Sequence, residues 1–470
     1  MSEIIKIAIP LHGKMAARTF HNPSFRQHLI SDGFRPLYFL SSIYYRSFSL
    51  DPEQYFELQT DYYDKEYQKY FLLQQLRMLR RFVVITETTD LRFRQMIETK
   101  LFDASLLGMS LQMTFVHFVR KIPGMGQFLM ALEKNLYVSH VHDRHFEQQK
   151  VDCVLTPGMG NYAYWNEGKF ATEAQRMNIP VFAAITNYDN VVNMGYRMFT
   201  PKRLAVWSRQ MADEVIKLHH YPASKLEVTG PAHYDRFMQP LNMSRADFLE
   251  RIGLDPSKKT IFFAGSGNIS HYFEIYRLFV EEKHRILRGD FNFVVRPHHH
   301  GNLRTNPAWH LLEKLFLDAG VYLSNPGSVD ATGDRTNELR LDLALDEEYD
   351  ELHYLLKYSD VLVNIFSTMG LEAAICDLPT IHIGYDAYTI GMKFGMTSEF
   401  QQRMTHNRRP LRLKASKVAK SEMELIKYIE EYLGDRNLDS EVRREYAISE
   451  CGELDGKSRT RIIEMVKSQI

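Results

Sequence analysis

Apolar residues along this chain gather in short runs, separated by longer stretches where apolar and polar positions recur at helical spacing. Short apolar runs bounded by turn residues read as buried parallel strands, and strands alternating with helices read as doubly wound α/β domains. A first set of runs occupies 4–9, 34–40 after Gly33, 151–155, 181–185, 204–207 and 226–228. The loop LHGKMAARTFHN and a helix over 23–32 complete its opening βαβ unit. Residues 51–150 interrupt the set. They are mostly helical in pattern and rich in Tyr, Phe, Gln and Arg, an insertion into the first domain.

A second set begins at Thr260 with IFFAGSGN and continues through FNFVVRP at 291–297, GVYLSN near Gly320, 361–365 and 380–383. Five strands separated by helices predict a second doubly wound domain. From Gln401 onward the pattern is charged and helical. The expected organisation is a domain over 1–235 carrying the insertion, a domain over 236–400, and helices over 401–470 that pack back on the first domain. The fold class is α/β, two Rossmann-like doubly wound domains facing a cleft.

Composition narrows the function classes. The 470 residues exceed one ordinary core, and 44% hydrophobic with 25% charged residues is the balance of a globular protein. Lys+Arg and Asp+Glu both total 58, which excludes an extended nucleic-acid footprint but leaves room for a local basic pocket. Cys153, Cys376 and Cys451 form no CxxC or zinc pattern, so a reducing, cytoplasmic location is expected. The opening MSEIIKIAIP lacks the features of a signal peptide. Residues 104–119 carry no Asp, Glu, Lys or Arg and precede Arg120-Lys121. That stretch is too short and too polar to span a bilayer; it reads as domain core, or as an interfacial helix that would let the protein lean on a membrane.

The richest segment for chemistry is YSDVLVNIFSTMGLEAAICDLPTIHIGYD, 358–386, which reads as strand, tight turn, helix and strand. Its turn falls at a strand's carboxyl end, where open α/β sheets bind ligands and a helix N-terminus offers free N–H groups to an anion. Ser367 and Thr368 add hydroxyls there, and Glu372 is placed to accept from a sugar or ribose diol. A nucleotide-linked donor fits those groups; an ordinary βαβ unit with a capping Ser and a solvated Glu fits them too. Two histidine clusters resist a metal reading. His298, His299 and His300 are consecutive, so their side chains diverge in extended chain, and helical spacing pairs only His142 with His145 in the group His140, His142, His145.

Several strings in fixed order sharpen the reading: Asp189-Asn190 with Gly195, Val206-Trp207-Ser208, and Thr229-Gly230-Pro231 with Asp235. They continue through Arg296-Pro297-His298, Ser359-Asp360, Ser367-Thr368 with Glu372-Ala373, and Asp455-Gly456-Lys457 with Arg461-Ile462. With the two facing Rossmann-like halves, they resemble the GT-B glycosyltransferase superfamily. Within it they resemble bacterial surface-polysaccharide transferases and CDP-glycerol glycerophosphotransferase-like or UDP-GlcNAc 2-epimerase-like proteins. The resemblance covers about the last three fifths of the chain. It departs at Arg296-Pro297-His298-His299-His300, where relatives often carry His-Pro, and the 51–150 insertion matches no familiar pattern.

The resemblance implies a metal-independent transferase with no cofactor beyond its nucleotide-sugar donor, and a glycan or lipid-linked acceptor. Gly265, Ser266, Gly267 and Asn268 would cradle the donor's diphosphate, with Ser367, Thr368, Arg296 and His298 supplying donors and charge. His12, after the first strand, would be the base that deprotonates the acceptor, because inverting members of the superfamily place a catalytic residue there. Asp189 is the alternative base, and Lys14 and Arg18 would steady phosphate. The expected activity is transfer of a sugar, or of glycerol phosphate, to a surface-glycan precursor. A non-hydrolysing sugar 2-epimerase and an inactive nucleotide-binding partner protein are the other readings.

Overall fold

The computed structural model describes residues 4–47, 51–100, 114–265, 269–281, 290–298, 306–324, 346–386 and 397–470. The chain divides into two units, Met1–Asp235 with Ser449–Ile470, and Arg236–Ile448. Of the C-terminal helical segment, the part through Ile448 thus belongs to the second unit and only the last 22 or so residues to the first.

The first unit is built on a seven-stranded sheet in the order β3-β2-β1-β4-β5-β6-β7. Its strands are β1 (Ile5–Leu11), β2 (Phe34–Ser41), β3 (Tyr55–Leu58), β4 (Cys153–Pro157), β5 (Val181–Ala184), β6 (Arg203–Val206) and β7 (Leu226–Val228), all paired in parallel. Helices cover both faces, so the central strands are apolar at nearly every position. Pro36 is tolerated inside β2 because pairing with β3 starts only at Tyr38, leaving that edge of the strand free where the proline lacks its N–H. Among the described residues the 51–150 stretch is mostly helical, as expected, and β3 is an addition to that reading. Four residues are too few to show a period in sequence, and the free edge of β2 supplies the partner that makes them a strand.

Helices Thr60–Lys69, Phe71–Phe82, Glu87–Lys100 and Met125–Leu136 follow within the insertion. A buried ion cluster ties them to the sheet's own helix, Trp165–Arg176. Glu133 pairs with Arg80 at 2.9 Å and Lys169 at 3.4 Å and accepts from Trp165 Nε1 at 3.1 Å, while Arg80 donates to the carbonyls of Gly160 and Tyr196. Burial works against ionising Glu133, but its two cations prevail and hold its carboxyl down at about 2. Gly195 completes the joint. Its φ is +78°, and a Cβ there would stand 2.6 Å from Arg81 Cα and 2.8 Å from the Arg80 carbonyl, so only glycine lets the Phe71–Phe82 helix approach.

The second unit carries six parallel strands in the order β10-β9-β8-β11-β12-β13. They are β8 (Lys259–Ala264), β9 (Phe291–Arg296), β10 (Tyr322–Leu323), β11 (Val361–Asn364), β12 (Thr380–Ile383) and β13 (Lys417–Ala419). The three-residue edge strand β13 lies in the stretch that reads as charged helix in sequence, and it brings the total one above the five expected. Ile261, Phe263, Val361, Val363, Ile381 and Ile383 from the strands pack with Tyr272, Trp309 and Phe316 from the helices in one core.

The strings near 230 and 455 meet within the first unit. Asp235 accepts from the backbone N–H groups of Ser458 and Arg459 at 3.0 and 2.9 Å, capping the Ser458–Lys467 helix with a negative charge. Arg461 donates to the Thr229 carbonyl and pairs with Asp455 and Glu453. These residues therefore anchor the chain's last helix.

Candidate functional site

Each sheet reverses its winding beside its first strand, between β1 and β4 in one unit and β8 and β11 in the other. Topological switch points of this kind open a crevice at the carboxyl ends of the strands, and polar residues gather at both.

In the first unit, His12 follows β1 directly. Its backbone N–H donates to Glu167 Oε1 at 3.2 Å, and its Nε2 lies 3.4 Å from the Asn166 amide nitrogen. Both partners sit at the start of the Trp165–Arg176 helix, which can come this close because Gly160 and Gly168 face each other: a Cβ on Gly168 would be 2.6 Å from Gly160 Cα. Burial lowers the His12 pKa below its usual range, with Asp64 opposing and nearby Arg77 reinforcing the shift, so the imidazole is neutral near pH 7. Glu167 is fully buried, and burial pushes its carboxyl up to about 8 against the two backbone N–H groups it accepts from. It therefore holds a proton at neutral pH.

Among the described residues, His12 Nδ1, Thr156 Oγ1, Asn161 Oδ1, Asn166 Oδ1, Glu167 Oε2 and Asp189 Oδ1 are buried without a hydrogen-bond partner. Such atoms are costly unless a ligand or water meets them, and they converge on the ends of β1, β4 and β5. Turning the Asn166 amide so that Oδ1 faces His12 lets Nε2–H donate to it and leaves Nδ1 bare to take a proton; the two amide orientations have the same shape. Asp189 caps the short Asn190–Asn193 helix after β5 and accepts from Asn193 Nδ2 at 2.8 Å; Asn193 in turn accepts from Arg92 Nε at 2.5 Å. His12 and Asp189 thus fall on one polar arc. Arg18 lies instead toward the buried His233, whose pKa it helps depress, and the side chain of Lys14 lies outside what is described.

In the second unit, Gly265 ends β8 beside Tyr272, whose hydroxyl would be 2.3 Å from a Cβ at that position; Ser266, Gly267 and Asn268 lie outside the described residues. Across the switch point, Ser367 caps the Thr368–Ile375 helix, accepting from Met369 N–H at 3.3 Å and donating to Asn364 Oδ1 at 3.2 Å. Thr368 is partly exposed beside it, whereas Glu372 is buried in the helix. The turn is strained: Phe366 holds φ +35°, a region disfavoured for a residue with a side chain. Its ring stacks on His382 at 4.3 Å, and burial pushes that imidazole down to about 3. Arg296 ends β9 and donates to Ser324 Oγ at 2.6 Å, which donates on to Glu351 at 2.5 Å. The backbone N–H of His298 donates to Tyr272 OH at 2.8 Å, and His299 and His300 lie outside the described residues.

The other histidine group is engaged by protein. His142 precedes the Asp143–Gln149 helix, accepts from the Gln59 N–H at Nε2 and so donates from Nδ1 to Glu173, which also accepts from Tyr63 OH. His140 contacts Asp143.

Sequence reasoning missed Glu167, Asn166 and Asn161 and the insertion arginines Arg77, Arg81 and Arg92. The one available signal was WNEGKF, a glycine amid charged residues in a helix between two apolar strands.

No family model and no curated protein sequence matches the chain. Solved structures do. A Methanocaldococcus jannaschii UDP-GlcNAc 2-epimerase in complex with UDP-GlcNAc and UDP is 13% identical over 99% of this chain and 100% of its own, with a TM-score of 0.51. Another UDP-N-acetylglucosamine 2-epimerase is 12% identical over 100% and 96%, also at 0.51. The wall teichoic acid polymerase TagF, 10% identical over 99% and 89%, reaches only 0.48, too low to carry an argument. The likeness is one of fold: the chain has the two-domain GT-B architecture expected from its sequence.

Proposed function

We propose that this chain is a GT-B glycosyltransferase, acting in the cytoplasm, that moves a sugar from a nucleotide-sugar donor onto a surface-glycan precursor. The observation that carries this reading is the set of unpartnered buried polar atoms around His12 and Glu167 at the first unit's switch point. A site that only bound nucleotide in the second unit would have no use for them. The first unit receives the acceptor. His12 Nδ1 takes the acceptor's hydroxyl proton, the oxygen bonds to the anomeric carbon, and the bond to the nucleoside diphosphate breaks. Asp189 is the alternative base. The second unit holds the donor: the N-terminus of the Thr368–Ile375 helix with Ser367 and Thr368, together with Gly265, Ser266, Gly267, Asn268, Arg296 and His298, would bind the diphosphate, which leaves without a metal. Glu372 serves the sugar or ribose. Three buried free thiols suit a reducing compartment. Among the described residues no helix is long and apolar enough to cross a membrane; exposed Phe115, Phe118 and Phe128 support peripheral contact with one that carries a lipid-linked acceptor.

A 2-epimerase is the second reading, favoured by the buried, unpartnered carboxyl oxygens of Glu167 and Asp189 in the same unit, groups able to exchange a proton with carbon. Transfer of glycerol phosphate from a CDP-linked donor would use the same groups. The test is product analysis by mass spectrometry with UDP-, CDP- and GDP-linked donors in EDTA, with and without extracted glycan acceptor. Transfer predicts acceptor-dependent nucleotide release that falls about 10²–10⁴-fold in His12→Gln, with nucleotide affinity by calorimetry unchanged. A C2 epimer formed without acceptor selects the epimerase instead, and nucleotide binding without turnover selects an inactive binding protein.

A further inference from the structure

Three arginines of the insertion continue the polar arc of the first unit, and none of them forms an ion pair among the described residues. Arg77 reaches toward His12 and Asp64, and its field is felt by both. Its guanidinium donates to the Tyr162 carbonyl at 3.3 Å, lies 4.9 Å from the centre of the Tyr162 ring, and leaves Nε without a partner. Arg81, one helical turn on, rests on the same ring at 4.1 Å. Arg92 follows on the next helix beside Asp189. Burial depresses the pKa of Arg81 and Arg92, with repulsion from Arg77 and Arg81 respectively adding to it and Asp189 opposing it at Arg92.

Arg80, on the same helix as Arg77 and Arg81, is buried and ion-paired with Glu133, so this helix does neutralise the arginine it uses for structure. Tyr162, the platform for the other two, is 37% exposed, so a ligand can reach them. Arg77 uses one N–H on the Tyr162 carbonyl, and the remaining donors of two such neighbouring forks match the oxygens of a phosphate better than any neutral sugar hydroxyl.

We infer that Arg77 and Arg81 hold a phosphate group of the acceptor, so that the acceptor class of this chain is a phosphate-bearing glycan or glycan precursor. This rests on the transferase reading, which places the acceptor in the first unit. A phosphate bound there would set a neighbouring hydroxyl against His12 and give the insertion a role at this switch point.

The test uses the full chain and calorimetry at low ionic strength, with sn-glycerol 3-phosphate and inorganic phosphate as phosphate probes and UDP, CDP and GDP as donor probes. Wild type should bind the phosphate monoester. The double variant Arg77→Gln/Arg81→Gln should weaken that binding at least tenfold with nucleotide affinity unchanged. Arg77→Lys/Arg81→Lys keeps the charge but loses the fork; it should weaken monoester binding three- to tenfold, and it carries the test if the Gln pair does not fold. Monoester binding that is absent in wild type, or equal in all variants, overturns the inference. Nucleotide binding that falls in the Gln pair overturns it as well, because the arginines would then serve the donor's diphosphate. Monoester binding lost in the Gln pair, with no nucleotide bound by any variant, supports the phosphate site and defeats the donor assignment instead.

Discussion

Glu167 carries a pH dependence that can be followed in numbers. Its side chain is fully buried at the start of the Trp165–Arg176 helix, and burial raises its carboxyl from 4.5 to about 8. In the unfolded chain it ionises near 4.5, so between that value and about 8 the folded chain retains a proton the unfolded chain has lost. The stability tied to this group is complete below the unfolded value, declines by about 1.36 kcal/mol per pH unit across the window, and is gone above about pH 8. The whole effect is roughly 5 kcal/mol, comparable to the net stability of many domains. Glu167→Gln keeps the size and the oxygen that accepts from His12 N–H but cannot ionise. Urea unfolding of both proteins at constant ionic strength, followed by a probe in the first unit, isolates the term, since every other titrating group is common to the two. The variant should gain on wild type by about 4 kcal/mol between pH 5 and pH 8. A stability difference that stays level within about 1 kcal/mol across that range would refute the assignment of a buried, protonated carboxyl.

Two other changes probe the architecture that holds the sites. Gly195→Ala forces a side chain into positive φ and against the backbone of Arg80 and Arg81; it should destabilise the first unit by about 2–4 kcal/mol, read by urea denaturation, and loosen phosphate binding at Arg77 and Arg81. If the variant melts with wild type, the insertion helix does not depend on that contact. Ser367→Ala removes the cap of the Thr368–Ile375 helix and the donor to Asn364. The expected cost is about 1 kcal/mol of stability together with weaker nucleotide binding by calorimetry; unchanged nucleotide affinity would assign Ser367 to capping alone.

The hydrophobic pattern alone determined the architecture. Buried parallel strands must be apolar on both faces, so β1, β2, β4, β5, β8, β9, β11 and β12 announce themselves as runs, and their alternation with helices leaves little choice but two doubly wound sheets. Turn chemistry placed Ser367 at a helix start for a similarly local reason: a cap depends on the residue and its neighbours in sequence. The edge strands β3 and β13 were beyond reach, because three or four residues carry no period and take their conformation from a partner strand far along the chain.

Tertiary structure decided the chemistry of the first unit. Glu167 is one acidic residue among 58 until the approach of Gly160 to Gly168 buries it against His12, and no spacing rule records a contact across 155 positions. In sequence the insertion is only rich in Tyr, Phe, Gln and Arg; docking through Gly195 and the Arg80–Glu133 pair brings two of its arginines onto a single tyrosine ring. Secondary structure follows from neighbours along the chain, whereas a proton's affinity and a cation's need for an anion follow from what lies around the group in space, and only the folded chain sets that.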